Sequence, residues 1–129
     1  MNYKLTIAYD GTAYHGWQIQ QNGITVQEVL ENGLMRIFNK KTPVIGCSRT
    51  DAGVHAAFYV CNFYAETSIP VNKIPTVLNT VLPYDIRAYK CSEVNGDFNA
   101  RFDTLKKTYE YKILNREVAD PLMINRMWH

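Results

Sequence analysis

The sequence predicts an α+β fold in which two helices cover one antiparallel sheet. Three observations support this prediction: segments that alternate apolar and polar residues, two stretches with apolar residues at helical spacing, and short connections that contain Gly, Asn or Pro. The chain has 129 residues, of which 47% are hydrophobic and 20% charged, and this suits one globular domain over residues 1–129. The formal net charge of +2 is too small to argue for a nucleic-acid partner by itself.

The predicted strands are short segments with alternating or continuously apolar residues. They are residues 3–9, 43–47, 56–64, 86–94 and 105–115. In the third segment both faces are apolar: Phe58 and Val60 lie on one face, and the other carries Tyr59, Cys61 and Phe63. Such a strand is predicted to be central in the sheet and covered on both faces.

Two helices are predicted between these strands. Thr25 and Glu28 have the spacing of a capping box, and an apolar stripe at helical spacing follows them. The stripe consists of Val26, Val29, Leu30, Gly33, Leu34, Ile37 and Phe38. The second helix is predicted over residues 73–81, with Asn72 as N-cap and Pro75 in the first turn. The order β-α-β-β-α-β, with an additional strand, is that of a ferredoxin-like unit.

The stretch of residues 48–55, which reads Ser-Arg-Thr-Asp-Ala-Gly-Val-His, is the first candidate for a functional site. It lies between two predicted strands, and Gly53 permits a tight turn just after Asp51. A carboxylate on such a loop is held by the sheet and still reaches a cleft. The alternative is structural: Asp51 caps its own turn and Arg49 pairs with it at the surface.

Two other regions combine features of an RNA-binding surface. The loop after the first strand contains Trp17 and Gln18. Both are candidate RNA contacts, because aromatic rings stack on bases and amides hydrogen-bond to base edges. The alternative is a packed loop with Trp17 in the core. Later, residues 101–116 hold five cations and two anions among tyrosines, and Arg101, Lys106 and Lys107 are candidate phosphate contacts. The alternative there is a solvated strand face with its tyrosines in the core.

The cysteines and histidines do not have the spacing of a zinc site, so no such site is expected. The cysteines are Cys47, Cys61 and Cys91, and they are predicted to be small buried or half-buried residues in a reduced cytosol. The N-terminal residues already have a strand pattern, and no apolar run has the length of a membrane span. A cytoplasmic location without membrane attachment is therefore expected.

Five segments together resemble the tRNA pseudouridine synthase A family. Residues 49–55 are similar to its Arg-Thr-Asp-Ala-Gly-Val-His signature, and residues 9–20 resemble its first block, Tyr-Asp-Gly-Thr-x-Tyr-x-Gly-Trp-Gln-x-Gln. Residues 78–87, 98–102 and 107–111 also match, so the resemblance covers nearly all of residues 3–115. One departure is Ser48, where the family most often has Gly, and it is expected to change only local backbone freedom.

The resemblance implies a role for each candidate residue. Asp51 would be the nucleophile, attacking either the ribose C1′ or the uracil C6, and Thr50 would help orient it. Arg49 would hold a phosphate or help extrude the target nucleotide, and Tyr109 would lie against the target base. His55 is interpreted as a structural residue that hydrogen-bonds the turn.

The resemblance also implies a substrate and partners. The family isomerises uridine to pseudouridine at positions thirty-eight to forty of the tRNA anticodon arm, as a homodimer, without metal or cofactor. Its members have a second, similar-sized domain that forms the opposite wall of the active-site cleft. The chain is therefore expected to be the N-terminal catalytic half, poorly active alone.

Two alternative functions would each require a motif of their own. A non-catalytic RNA-binding module of the same fold would need an aromatic-rich motif on a central strand, and that motif is missing. A small ferredoxin-like phosphatase would need a Gly-rich phosphate cradle, which is also missing. Tritium release from tRNA labelled at uracil C5 separates the synthase from both.

Overall fold

The computed structural model describes residues 1–103, which form a four-stranded antiparallel sheet with two of the helices packed against one face. The strands are β1 (Asn2–Tyr9), β2 (Ile45–Gly46), β3 (Ala56–Tyr64) and β4 (Ile86–Val94). The helices are α1 (Val26–Phe38), α2 (Ile74–Asn79) and the single turn α3 (Ala100–Asp103). Two 3-10 turns, Gly11–Ala13 and Val71–Lys73, precede α1 and α2 respectively.

The strand order is β2-β3-β1-β4, and every pair is antiparallel. Together with the element order, this confirms the predicted ferredoxin-like arrangement. The strand β1 has a partner on each side, and its Leu5 lies opposite both Cys61 of β3 and Cys91 of β4. The register shifts near the end of β1, between Ile7 and Tyr9, so the strand is irregular where it leaves the sheet.

The core lies between the sheet and the helices α1 and α2. Its fully buried side chains include Leu5, Ile7, Leu30, Leu34, Cys61, Phe63, Ile74, Leu78 and Ile86. Burying an aliphatic or aromatic side chain of this size contributes roughly 1.5–3 kcal/mol, so this layer carries most of the stability. The three cysteine thiols are unpaired and buried, as the sequence predicts.

The first helix begins and ends at residues that satisfy its terminal backbone groups. The Thr25 side chain accepts a hydrogen bond from the Glu28 amide at 3.3 Å, which confirms Thr25 as the N-cap. At the other end Asn39 has a left-handed backbone (φ 55°), and its amide donates to the Met35 carbonyl at 2.9 Å.

Three local predictions are wrong. The second helix covers Ile74–Asn79 and not 73–81: Lys73 belongs to the preceding 3-10 turn, and at the other end the amides of Thr80 and Val81 donate to carbonyls three residues back. Asn72 lies in the 3-10 turn, and no side-chain hydrogen bond caps the helix. Pro75 does lie in the first turn of α2. The second strand comprises only Ile45–Gly46.

The third wrong prediction is that β3 is covered on both faces. It is central in the sheet, but Phe58 is 81% exposed on the face opposite the helices. Aromatic and branched side chains are favoured in strands even where they are exposed, so apolar residues on a face do not by themselves show that the face is covered. The predicted strand over residues 105–115 lies outside the described residues.

A buried pair of amide side chains lies on the second face of the sheet. Asn62 donates to the Asn2 side chain at 3.1 Å and accepts from the Ala100 amide at 2.8 Å. Asn2 donates to the carbonyls of Asn95 and Phe98 at 2.9 and 3.0 Å. These bonds fasten the turn that follows β4 to the centre of the sheet.

No helix among residues 1–103 has both the length and the apolar character needed to span a bilayer.

Candidate active site

Two loops meet at one end of the sheet. The Asp51 loop (residues 48–55) joins β2 to β3, and the Tyr14 loop (residues 10–23) follows β1. Because Tyr9 at the end of β1 lies opposite Ala56 at the start of β3, the two loops leave the sheet side by side. The Tyr14 loop is also fastened to the start of α1, where Val26 and Gln27 donate to the carbonyls of Gly16 and Trp17 at 3.1 and 3.0 Å.

On the N-terminal side of Asp51, the Tyr14 loop and β1 hold Thr50. The Trp17 amide donates to the Thr50 carbonyl at 3.1 Å. The Thr50 hydroxyl is hydrogen-bonded to the Tyr9 hydroxyl at 2.8 Å. Thr50 is thus fixed through both its backbone and its side chain. That Thr50 helps orient Asp51 stays a prediction; the structure shows its hydroxyl bonded to Tyr9 and its carbonyl bonded to the Trp17 amide.

On the C-terminal side, a turn follows Asp51. The Val54 amide donates to the Asp51 carbonyl and the Gly53 amide donates to the Tyr14 carbonyl, each at 3.2 Å. Gly53 has a left-handed backbone (φ 79°), which confirms the turn predicted from its position. The Tyr14 loop therefore grips the Asp51 loop on both sides of Asp51.

His55 closes the loop through its ring. The Gly11 amide donates to His55 Nδ1 at 2.8 Å, and the same nitrogen lies 3.1 Å from Asp10 Oδ1. The Asp10 carboxylate also accepts from the Thr12 amide at 3.0 Å. The structural role predicted for His55 is confirmed, because its ring joins the start of the Tyr14 loop to the end of the Asp51 loop.

The Tyr14 loop is itself braced against β4. The Tyr14 hydroxyl donates to Asp85 Oδ1 at 2.6 Å, and the Asp10 amide donates to the Asp85 carbonyl at 2.9 Å. Burial raises the pKa of the Tyr14 hydroxyl, and the hydrogen bond to the Asp85 carboxylate raises this pKa further. Tyr14 therefore remains a protonated donor, and residues just before β4 support the Asp51 loop indirectly.

Beneath the two loops lies a cluster of three aromatic rings: Tyr9, Trp17 and Tyr59. The ring centroids of Trp17 and Tyr59 are 4.3 Å apart, and those of Tyr9 and Tyr59 are 5.6 Å apart. The Tyr59 hydroxyl donates to the Ser48 carbonyl, and burial raises the pKa of this hydroxyl well above its ordinary value. Trp17 is only 3% exposed, which favours the packing alternative for its ring, whereas Gln18 is exposed.

Asp51 and Arg49 are both exposed at the tip of their loop. Within residues 1–103 no ion pair joins them, and the turn amide of Val54 bonds to the Asp51 backbone carbonyl. The structural alternative, in which Arg49 neutralises a self-capping Asp51, therefore has no support here. The arrangement instead presents a carboxylate to solvent from a loop whose backbone is fixed on both sides.

The remaining predicted site residues do not lie at this loop or fall outside the description. Arg101 is exposed on α3, which follows β4. Tyr109, Lys106 and Lys107 lie outside the described residues. Among residues 1–103 no three His, Cys, Asp or Glu side chains are grouped closely enough to hold a metal ion.

Sequence reasoning did not single out the residues that support the loop, namely Tyr9, Tyr14 and Asp85. Their polar groups act across the fold, and no local pattern predicts which hydroxyl meets which carboxylate. The available signal was indirect: all three lie in the segments 9–20 and 78–87, which resemble family blocks although they contain no catalytic group.

Comparison with known proteins identifies the family. The sequence model of a family described as tRNA pseudouridine synthase matches residues 5–103. A tRNA pseudouridine synthase A of Clostridium acetobutylicum is 56% identical over 115 residues, which cover 89% of this chain and 47% of that protein. One of Thermoanaerobacter sp. (strain X514) is 46% identical over 128 residues, covering 99% of this chain and 52% of that protein. The chain thus spans about half the length of the curated relatives it matches, and it belongs to the tRNA pseudouridine synthase family.

Proposed function

We propose that this chain is the N-terminal catalytic half of a tRNA pseudouridine synthase, and that Asp51 is its nucleophile. The observation that carries the proposal is the state of Asp51: its side chain is exposed, and hydrogen bonds to Thr50 and Gly53 fix the loop on either side of it. A nucleophile needs both features, because the attacking group must be accessible to the substrate and must be held in a fixed position. The similar proteins are named as tRNA pseudouridine synthases, which gives tRNA as the substrate class.

The reaction needs no electron transfer. The bond between the ribose C1′ and uracil N1 breaks, the base turns, and a bond forms between C1′ and C5. The proton on C5 is lost and N1 gains one, so the product is an isomer of the substrate. The Asp51 carboxylate supplies an electron pair to either C1′ or C6, forms a transient covalent bond there, and is released when the isomer is complete.

Contacts with RNA complete the proposal. The target uridine lies in the anticodon arm and must leave the base stack to reach a side chain on a loop. Arg49 is exposed two residues from Asp51, where a cation can hold the phosphate of the extruded nucleotide. Gln18 and Arg101 are exposed candidates for further contacts. The roles of Tyr109 against the base, and of Lys106 and Lys107 on phosphates, follow from the family resemblance.

The full enzyme would include the part of its relatives that this chain does not span. We propose that this part forms the opposite wall of the cleft, and that the enzyme acts on tRNA in the cytoplasm as a homodimer. An exposed Asp51 without that wall lacks a closed, water-poor site. The 129-residue chain alone should therefore turn over at least about a thousandfold more slowly than a chain of the relatives' full length, a loss on the order of 4 kcal/mol in transition-state stabilisation.

Tritium release from tRNA labelled at uracil C5 tests the proposal directly, because only C5 substitution liberates the label. In a chain of the relatives' full length, Asp51→Ala and Asp51→Asn should abolish release while tRNA affinity stays nearly unchanged, since phosphate contacts dominate binding. Asp97→Asn, which alters an exposed aspartate in the turn after β4, is the matched control and should behave as the parent. Near-normal turnover by Asp51→Asn would remove Asp51 from the mechanism. Tight tRNA binding by the parent without release would favour a non-catalytic RNA-binding module.

A further inference from the structure

We propose that Tyr9 is a positioning residue for Asp51, and that it acts through the hydrogen bond between its hydroxyl and that of Thr50. This inference rests on the proposed function, because it assigns Tyr9 a part in placing the nucleophile. Tyr9 lies in the core and is only 4% exposed, so the fold covers its ring. Its hydroxyl reaches the Asp51 loop through the bond to Thr50.

The position of Tyr9 is fixed by two neighbouring strands and two aromatic rings. Tyr9 ends β1 and is paired on both sides, with Ala56 of β3 and Ile86 of β4. Its ring packs against Tyr59, 5.6 Å between centroids, and stacks with Trp17 at 6.5 Å. A phenol held by two strand ladders and two aromatic neighbours has little freedom, so the hydroxyl is a fixed point on the rigid part of the fold.

Thr50 connects this fixed point to Asp51, its neighbour in the chain. Its hydroxyl bonds to Tyr9 at 2.8 Å, and its carbonyl accepts from the Trp17 amide at 3.1 Å. Together the two bonds fix the side-chain rotamer and the peptide plane of Thr50, and these set the direction in which the Asp51 carboxylate leaves the loop. The support on the other side, from the Gly53 amide to Tyr14, is one residue more distant.

The two hydroxyls should therefore affect the chemical step more than binding. A displacement of about 1 Å in a catalytic group lowers rate by up to about a hundredfold. Affinity for tRNA comes from many phosphate contacts over a large surface, and it should not depend on one hydroxyl in the core. A purely structural role would instead lower the amount of folded enzyme and leave kcat per folded molecule unchanged.

The test is a double-mutant cycle in a chain of the relatives' full length, with kcat and KM measured by tritium release. Tyr9→Phe and Thr50→Val should each lower kcat by about tenfold to a hundredfold with KM changed less than about threefold, and the double variant should be no slower than the slower single one. Thr50→Ser keeps the hydroxyl and should restore most of the rate. Tyr3→Phe removes a hydroxyl from another core tyrosine of β1 and should leave kcat unchanged.

A second measurement does not depend on activity. In the 129-residue chain, hydrogen exchange of the Trp17 amide, which bonds to Thr50, should be faster in Tyr9→Phe than in Tyr3→Phe. Parent-like kcat and exchange in Tyr9→Phe would overturn the inference, as would additive losses in the cycle. Asp51→Ala separates the two proposals: if it is inactive while Tyr9→Phe is normal, only the role of Tyr9 fails. If Asp51→Ala is active, the proposed nucleophile fails.

Discussion

The α-carbon of Gly16 lies so close to the Thr50 carbonyl that a Cβ at this position would be 2.5 Å from its oxygen. The same Cβ would be 3.2 Å from the carbonyl carbon of Asp51. Gly16 also has a left-handed backbone (φ 81°), which side chains rarely adopt. The close approach and the backbone angle thus independently require glycine where the Tyr14 loop contacts the Asp51 loop. The atoms that a Cβ would meet are backbone atoms, which cannot easily move.

Three glycine-to-alanine variants should differ in stability in a fixed order. Gly16→Ala meets both constraints and should lower the free energy of unfolding by about 3 kcal/mol or more. Gly53 has a left-handed backbone but open space around it, so Gly53→Ala should lower the free energy of unfolding by about 1–2 kcal/mol. Gly96→Ala has neither constraint and should stay within about 0.5 kcal/mol of the parent. Urea denaturation measures all three, and equal losses at Gly16 and Gly96 would contradict the close approach.

The hydrogen bond from Tyr14 to Asp85 should contribute measurably to stability. It is short, 2.6 Å, and its acceptor is a carboxylate, so Tyr14→Phe should lower the free energy of unfolding by roughly 1.5–3 kcal/mol. Tyr84→Phe is the control, because Tyr84 is 94% exposed and the same hydroxyl is lost to water. If the Tyr14 and Tyr84 variants had the same free energy of unfolding in urea, the hydrogen bond between Tyr14 and Asp85 would not contribute to stability.

The buried amide of Asn62 should be harder to replace than its size suggests. Asn62→Leu has a similar shape but removes the hydrogen bonds of the Asn62 side chain to the Ala100 amide and to Asn2 Oδ1. Each unsatisfied buried group costs about 1–3 kcal/mol, so the total loss should be roughly 2–5 kcal/mol. Asn32→Leu on the exposed side of α1 should change stability by less than about 0.5 kcal/mol. A parent-like urea midpoint for Asn62→Leu would show that this amide pair is dispensable.

Stability should fall in mildly alkaline solution because burial raises the pKa of the Cys91 thiol to about 12 from 9.0. The unfolded chain loses this proton at lower pH than the folded one does, so the contribution is complete below about pH 9. It declines progressively as the pH rises toward the folded-state value. Burial raises the pKa of Cys61 in the same direction. Urea midpoints at about pH 8 and about pH 9.5 should differ less in Cys91→Ala than in the parent, and identical differences would contradict the assignment.

The sequence was sufficient for the elements whose patterns are strong. The bounds of β3 and β4 agree with the predicted segments 56–64 and 86–94, because alternating aromatic and branched residues bounded by turn residues leave few alternatives. Thr25 was recognisable as a cap because its partner is local. The predicted second helix runs two residues too far because the amides of Thr80 and Val81 bond to carbonyls three residues back, and apolar spacing does not distinguish this tighter turn from an α-helix.

The supporting contacts of the site could not be predicted in the same way. The motif predicts Asp51 as a site residue, but the bonds that hold its loop join residues far apart in sequence, such as Tyr9 with Thr50 and Tyr14 with Asp85. Periodicity describes which face a side chain occupies and not which polar atom it meets. Trp17 illustrates the limit: composition allowed it to be a stacking platform or a core residue, and only the packing against Tyr59 distinguishes them.

The central place of β1 sets an order in which the protein assembles during synthesis. This strand is made first, but its neighbours are β3 and then β4, which emerge later from the ribosome. The β1–β3 ladder brings Tyr9 beside the Asp51 loop before β4 exists, so the contacts at Thr50 and Gly53 need only the first two-thirds of the described chain. The brace from Tyr14 closes only when Asp85 arrives. Nascent chains stalled between β3 and β4 should therefore already protect the Trp17 amide from exchange, and the Asp51 loop would be held before the sheet that supports it is complete.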